Sequence, residues 1–412
     1  MMSIKDDKFT LLDKVICIYI FIAIFVTTSD LVVHFLRPFF YKEFLFYFFI
    51  PIVILFFASL MKKGFYIKWH YVFIFLLVIL LGLISFLLRY GVLSQLISLM
   101  TVTFSVIILM FYKKKYLEII VKIGTPFFII LLAGAFIGFA YAMAGGTPIF
   151  ELENHDGRTS FLFLTTTTNI YLPYLNFIRP AGIYDEPGTF SFFLCIFAVF
   201  RVFTGKNDVL TFFMLLAGSI TFSAAHVIFF IMFNFYMLGK YYKKKLFVLY
   251  IIVMLAGTLF LLFRYYDLFS EMLFSRFQNG GIMNNNRSVQ IEGSLKALEN
   301  PESFSDVFLL GDPDVEKNHG FIFTNPLGPL IYSGILLSWI YYACMFALLI
   351  GGVLSKKYRF VLWAIASVYA QRPYYSMWGA SIALLIIVFS MINIIANDVI
   401  TKRKKLLPSK IQ

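Results

Sequence analysis

This sequence is poor in charge, cysteine and histidine. Charged side chains make up only 14% of its 412 residues, and it has three cysteines and five histidines. Cys17, Cys195 and Cys344 each lie inside an apolar segment, with no CxxC spacing to pair them. They read as small buried hydrophobes and say nothing about redox compartment. No His/Cys cluster occurs, so neither metal nor cofactor is expected. Internal repeats and low-complexity tracts are lacking too.

What the sequence has is hydrocarbon. Hydrophobic residues reach 60%, with 52 Phe and 25 Tyr, and the mean hydropathy is +0.85. A soluble fold cannot cover that much apolar surface, so the composition specifies an all-α integral membrane protein, a single polytopic domain over 1–412. The net charge of +13 does not call for nucleic acid, because the cations fall in short runs between apolar segments, where topology accounts for them.

At about 20 residues per crossing, about twelve spans are expected, near 15–33, 44–61, 69–88, 92–112, 123–143, 187–204, 208–222, 226–239, 246–263, 326–351, 358–371 and 374–396. The first is longer than a signal-peptide core and lacks a small-x-small cleavage site, which marks it as an uncleaved span. With the N-terminus in the cytoplasm, most of the 35 Lys and Arg residues fall inside. They include Lys62, Lys63 and Lys68, the run Lys113, Lys114, Lys115, and the tail Lys402-Arg-Lys-Lys405. Both termini are therefore expected in the cytoplasm. Two long loops remain outside, 144–186 and 264–325, and loops of that length commonly carry function. Ile291, Leu295 and Leu298 stand at helical spacing in the second, predicting a short amphipathic helix over 288–299 at the outer mouth.

The uncommon polar residues fall on this outer side. The stretch Arg179-Pro-Ala-Gly-Ile-Tyr-Asp-Glu-Pro-Gly188 puts a cation, two adjacent carboxylates and two helix-breaking prolines beside a span, and ionisable groups so placed mark a functional site by default. Ser223 and His226, Arg276, Arg287, His319 and Asn325, and Arg372 fall on the same face. Four arginines at one mouth, Arg179, Arg276, Arg287 and Arg372, match phosphate oxygens in bidentate fashion and point to a pyrophosphate. Plainer readings stand beside these. Arg179 can serve as an interfacial cation, and Asp185, Glu186 and Pro187 as a helix start. His226 can be a packing histidine, Arg276 and Arg287 can pair with Asp267 or Glu292, and Arg372 can occupy a short turn by chance.

The stretch from Arg179 to Gly188, followed at once by a Phe-rich span, resembles the "Arg, Gly, then Glu-Pro" signature of bacterial O-antigen and capsule repeat-unit polymerases of the Wzy type, within a wider polymerase–ligase superfamily. The order of the Thr221-Phe-Ser223 hairpin, the long external loop, Asn318-His-Gly320 and the Gly328/Gly334 span is similar as well. Ala224-Ala225-His226 stands where relatives often carry a basic residue, and the spaced Arg-to-Gly pattern of some members' external loops is missing. The resemblance implies a membrane glycosyltransferase in the bacterial inner membrane, with its active site on the periplasmic side, and the lack of a metal-ligand cluster makes a metal-independent reaction the expectation. Donor and acceptor would be undecaprenyl-pyrophosphate-linked oligosaccharides, and a chain-length regulator is left open as a partner. Glu186, His319 and Asp185 are the expected catalytic groups, the four arginines the pyrophosphate ligands, and Ser223, His226 and Asn325 supporting residues. An O-antigen ligase is the alternative within the superfamily, and a lipid-linked oligosaccharide flippase or transporter is the alternative of another class. Transporters place ionisable groups or broken helices near the bilayer midplane, whereas the polar residues here collect at one end.

Overall fold

Long runs of Phe, Leu and Ile broken by few prolines can satisfy their backbone only as helices in an apolar setting, and helices dominate. The computed structural model of the chain describes residues 11–29, 31, 32, 34, 69–88, 93–153, 158–241, 243, 286–299, 304–312, 314, 315, 325–374 and 377–406. In order, α1 is Leu11–Phe25, α2 Trp69–Leu88, α3 Leu93–Phe111 and α4 Lys114–Met143. After a β region come α5 (Pro187–Phe203), α6 (Asp208–Gly218) and α7 (Ala224–Tyr241). The remainder holds α8 (Asn286–Glu299), α9 (Phe304–Leu310), α10 (Gly328–Leu354), α11 (Arg359–Gln371) and α12 (Trp378–Leu406). Among the described residues, four helices are long and apolar enough to cross a membrane, over Lys115–Met143, Ala224–Tyr241, Gly328–Leu354 and Gly379–Asp398. Val72–Leu88, Leu99–Leu109, Pro187–Phe203 and Asp208–Thr221 are shorter apolar helices. This is an α-helical membrane protein. Two of the expected spans, 44–61 and 246–263, lie outside the described residues.

The expectation of an all-α chain needs one correction. Loop 144–186 carries an antiparallel sheet of β1 (Phe150–Glu153), β2 (Thr159–Phe163) and β3 (Thr166–Thr168), and a second pair, β4 (Tyr171–Leu172) with β5 (Phe177–Ile178). Phe161 pairs with Thr168 and Phe163 with Thr166. β-Branched threonines and aromatics suit a pleated, half-buried surface, and the threonine run at 165–168 is where the sequence encodes it.

The chain divides into two units. The first takes in Met1–Leu76, Thr103–Val227 and Met377–Met391, and its helices give it two chemically different ends. At one end Asp13, buried in the first turn of α1, accepts a hydrogen bond from Tyr116 Oη at 2.6 Å and pairs with Lys113 at 3.1 Å and Lys115 at 3.6 Å. α5 brings Arg201 to this end, where the buried guanidinium donates to Thr125 Oγ1 of α4 at 2.6 Å, Thr211 Oγ1 at 2.8 Å and the Asn207 carbonyl at 3.2 Å. Aromatic rings fill the middle: Phe128 stacks on Phe197 at 4.6 Å, and Phe25 meets both edge-on. The other end holds the sheet, the start of α5 and the end of α6. There the C-terminal end of α1 is tied to the segment before α5, Tyr184 Oη donating to the Phe25 carbonyl at 2.9 Å and Ser29 Oγ to that of Ile183 at 2.5 Å.

The sheet is seated by two glycines of α4, one turn apart. A Cβ at Gly138 would lie 2.6 Å from the Phe163 carbonyl oxygen and 2.4 Å from Thr166 Cγ2, and one at Gly134 would lie 3.2 Å from the Thr165 carbonyl oxygen. Without side chains there, β2 and β3 press directly on the helix. Thr165 Oγ1 donates to the Gly134 carbonyl at 2.7 Å.

The second unit comprises Leu77–Val102, Ile228–Ser376 and Ile392–Gln412. In it, α8 (Asn286–Glu299) forms where a helix was expected. Ile291 and Leu295 are exposed, while Ser294 and Ala297 are buried, with Ala297 and Leu298 packing on Val307, Val315 and Ile331. The small side chains face inward because α9 and the start of α10 approach closely. α10 is interrupted at Gly334, which adopts φ 66° and ψ 169°. A Cβ there would lie 2.3 Å from the Leu309 carbonyl oxygen, so only glycine allows the end of α9 to cross α10.

Candidate functional site

The charged island between the sheet and α5 is built by the threonines of β3. Thr167 Oγ1 donates to the carbonyl of Gly182 at 3.0 Å and also to that of Tyr184, its N–H donates to Gly182 O at 2.8 Å, and its carbonyl accepts from Ala181 N at 2.7 Å. Gly182 N donates to Thr166 Oγ1 at 2.9 Å, and Gly182 turns the chain at φ +66°. Ser160 Oγ donates to the Asp185 carbonyl at 3.3 Å. The Tyr184 ring is fully buried and stacks on Phe193 at 5.2 Å and Phe190 at 5.9 Å, and that burial holds its phenol well above the usual tyrosine range. Backbone and tyrosine are thus fixed, which aims the two carboxylates.

Glu186 occupies the N-cap position of α5 in extended conformation, with Pro187 in the first turn, but its side chain makes no capping hydrogen bond. The helix-start reading holds for the backbone. The carboxylate is turned to Arg158 instead, 3.3 Å from Nη1 to Glu186 Oε2 and 4.0 Å from Nη2 to Asp185 Oδ2. The side chains of Glu186 and Asp185 are 19% and 23% exposed and that of Arg158 is 47% exposed, so the cluster opens to the outside of the bundle. Thr189 Oγ1 reaches Glu186 Oε1 at 3.5 Å. Arg158 is the residue that sequence reasoning missed. It stands 28 positions from Glu186 and reaches it only because β2 runs beside β3, on which the 179–186 segment lies.

Arg179 is buried and directed inward. Its Nε donates to the Thr221 carbonyl at 3.1 Å and its Nη2 to the Phe222 carbonyl at 2.8 Å, clamping the turn between α6 and α7, where Phe222 has φ 49°. Ser223 follows this turn, buried, its carbonyl accepting from Val227 N at 3.0 Å. His226 is sealed in the core. Its Nε2 lies 2.6 Å from the Leu215 carbonyl, which makes it the donor, and its Nδ1 faces Cys195 Sγ at 3.7 Å. That is the packing arrangement considered for it. Arg179, Asp185, Glu186, Ser223 and His226 therefore share one end of the first unit, while Lys113, Lys115 and Arg201 hold the opposite end.

Asn325 and Arg372 belong to the second unit. Asn325 is buried and fastens α8 to α10, its Nδ2 donating to Ser294 Oγ at 3.0 Å and its Oδ1 accepting from Leu327 N at 2.9 Å. Arg372 donates through Nη1 to Tyr374 Oη, with its guanidinium 5.8 Å from the Tyr374 ring centre. Tyr341 Oη donates to the Tyr369 carbonyl at 2.9 Å, tying the end of α11 to α10. Arg276 and His319 lie outside the described residues, as does the side chain of Arg287, which opens α8. Glu292, weighed as a partner for Arg287, pairs with Lys296 at 2.8 Å, and that ammonium draws its carboxyl below the usual range. Among the described residues no three His, Cys, Asp or Glu gather as a metal-binding group.

Comparison with protein-family models, with curated proteins and with solved structures finds no match. The functional reading rests on the site itself.

Proposed function

We propose that this protein is a glycosyltransferase of the inner membrane that polymerises O-antigen or another surface polysaccharide, of the Wzy type. It moves a growing glycan from undecaprenyl pyrophosphate to the non-reducing end of a lipid-linked repeat unit. The observation that carries this reading is the cluster of Arg158, Asp185 and Glu186, half-open at one end of the first unit. In the same proposal the bundle has twelve spans with both termini in the cytoplasm, and the cluster faces the periplasm.

The chemistry asks for two things. The acceptor hydroxyl must lose a proton as its oxygen attacks the donor's anomeric carbon, and the departing pyrophosphate must be stabilised as it takes the electron pair of the broken C–O bond. Glu186 serves as the base, since its carboxylate is held by Arg158 and not spent on capping. Arg158 supplies positive charge beside it, and Asp185 orients Arg158. Arg179 acts indirectly by fixing the α6–α7 turn.

Deletion of the gene in its host tests the assignment. Lipopolysaccharide capped with a single repeat is the expected phenotype, restored to a ladder by the wild-type gene and not by Glu186→Gln. Complete loss of capping would indicate a ligase instead, and an unchanged ladder would refute the enzyme reading.

A further inference from the structure

The sheet does not sit on top of the bundle but descends along it. Residues 123–143 of α4 carry no charged side chain and extend about 30 Å, the thickness of a bilayer's hydrocarbon core. Thr165, at the tip of the β2–β3 hairpin, bonds to the carbonyl of Gly134, a point about 14 Å in from the C-terminal end of α4 by helix rise. Putting Gly134 outside the hydrocarbon would leave only about 17 Å of apolar helix for the whole crossing. The tip therefore lies at acyl-chain depth.

Its chemistry suits that depth. The turn is Leu164-Thr165, and Leu164 has φ 52°, a conformation that water-exposed turns give to glycine or asparagine. Leucine here leaves an apolar side chain 43% exposed at the tip. On α4, Ile130 and Ile137 flank Gly134 one turn to either side and are 68% and 53% exposed, so the tip continues a helix surface that already faces lipid. Backbone at acyl depth must be satisfied internally, and the hairpin does so where β2 and β3 pair with each other and where Thr165 N donates to the Phe163 carbonyl at 2.6 Å, while the Thr165 hydroxyl is taken by the Gly134 carbonyl.

We propose that the β2–β3 hairpin is a re-entrant element whose tip contacts the acyl chains of the leaflet at the C-terminal end of α4. The placement needs only that α4 span the bilayer. For the reaction proposed above it carries a corollary: a lipid-borne substrate enters the Arg158–Glu186 cluster sideways from the leaflet. That corollary rests on the proposed reading, and its failure leaves the hairpin's placement intact, because the test uses no substrate.

The test is chemical accessibility of the full-length protein in phosphatidylcholine liposomes. Native cysteines are buried, so Leu164→Cys can be labelled selectively beside Glu151→Cys, an exposed position on the same sheet. We expect a membrane-impermeant maleimide to react at residue 164 at least tenfold more slowly than at residue 151. A nitroxide at 164 should collide more with oxygen than with a water-soluble nickel chelate. In the unsubstituted protein, a phospholipid with a diazirine at mid-chain should label 161–166 together with α4. Equal maleimide rates with preference for the nickel chelate, or labelling of α4 without the hairpin, would overturn the proposal.

Discussion

Arg179→Ala removes two hydrogen bonds from a charged donor to the carbonyls of Thr221 and Phe222, at 3.1 and 2.8 Å, from a side chain that is only 8% exposed. A net contribution of about 1.5–3 kcal/mol for each charge-assisted bond gives a loss of about 3–6 kcal/mol. The lower half of that range is favoured wherever water reaches the freed carbonyls. Arg179→Lys, whose ammonium can reach one carbonyl but not bridge two, should lose about half as much. Reversible unfolding in mixed micelles, with Arg158→Ala as the comparison, measures both. Arg158 is half exposed, and removing a surface ion pair of that kind changes stability by about 1 kcal/mol or less. An Arg179→Ala protein within about 1 kcal/mol of wild type would refute the clamp and return Arg179 to the set of direct phosphate ligands.

Arg158→Ala should fold normally yet slow glycan elongation at least tenfold, with Arg158→Lys recovering part of the rate in a gel-ladder assay. Full activity of the alanine protein would exclude it from the site. Gly138→Val puts a side chain into the Phe163 carbonyl; overpacking of this kind costs about 1–3 kcal/mol, and faster proteolysis within 150–178 should report the loosened sheet. Asn325→Ala frees α8 from α10, read as faster amide exchange over 286–299 at a cost of about 1–3 kcal/mol for the buried groups left unmatched. Unchanged exchange there would mean that the Ala297, Val307 and Ile331 contacts hold α8 alone.

The helices were legible because apolar composition and length carry that signal residue by residue. The charged island at 179–188 was legible for the converse reason, as ionisable groups beside hydrocarbon stand out. What composition could not convey was direction. Nothing in the sequence tells Arg179 to turn inward to the Thr221 and Phe222 carbonyls while Glu186 turns outward to Arg158, since each choice depends on strands that pair across a loop. The Leu164-Thr165 turn lacks the Asn-Gly signal of a hairpin, so the sheet itself went unread, and with it Arg158. The inward face of α8 could not be read from hydrophobic spacing, because close packing against α9 and α10 selects the small Ser294 and Ala297.

The most direct test is elongation by the purified protein in liposomes supplied with a lipid-diphosphate-linked repeat unit. Wild type is expected to convert it to a ladder of longer glycans, and Glu186→Gln, equally stable to unfolding, to leave it as single repeats. A wild-type ladder from Glu186→Gln, or no lengthening by the unsubstituted protein, would contradict the account.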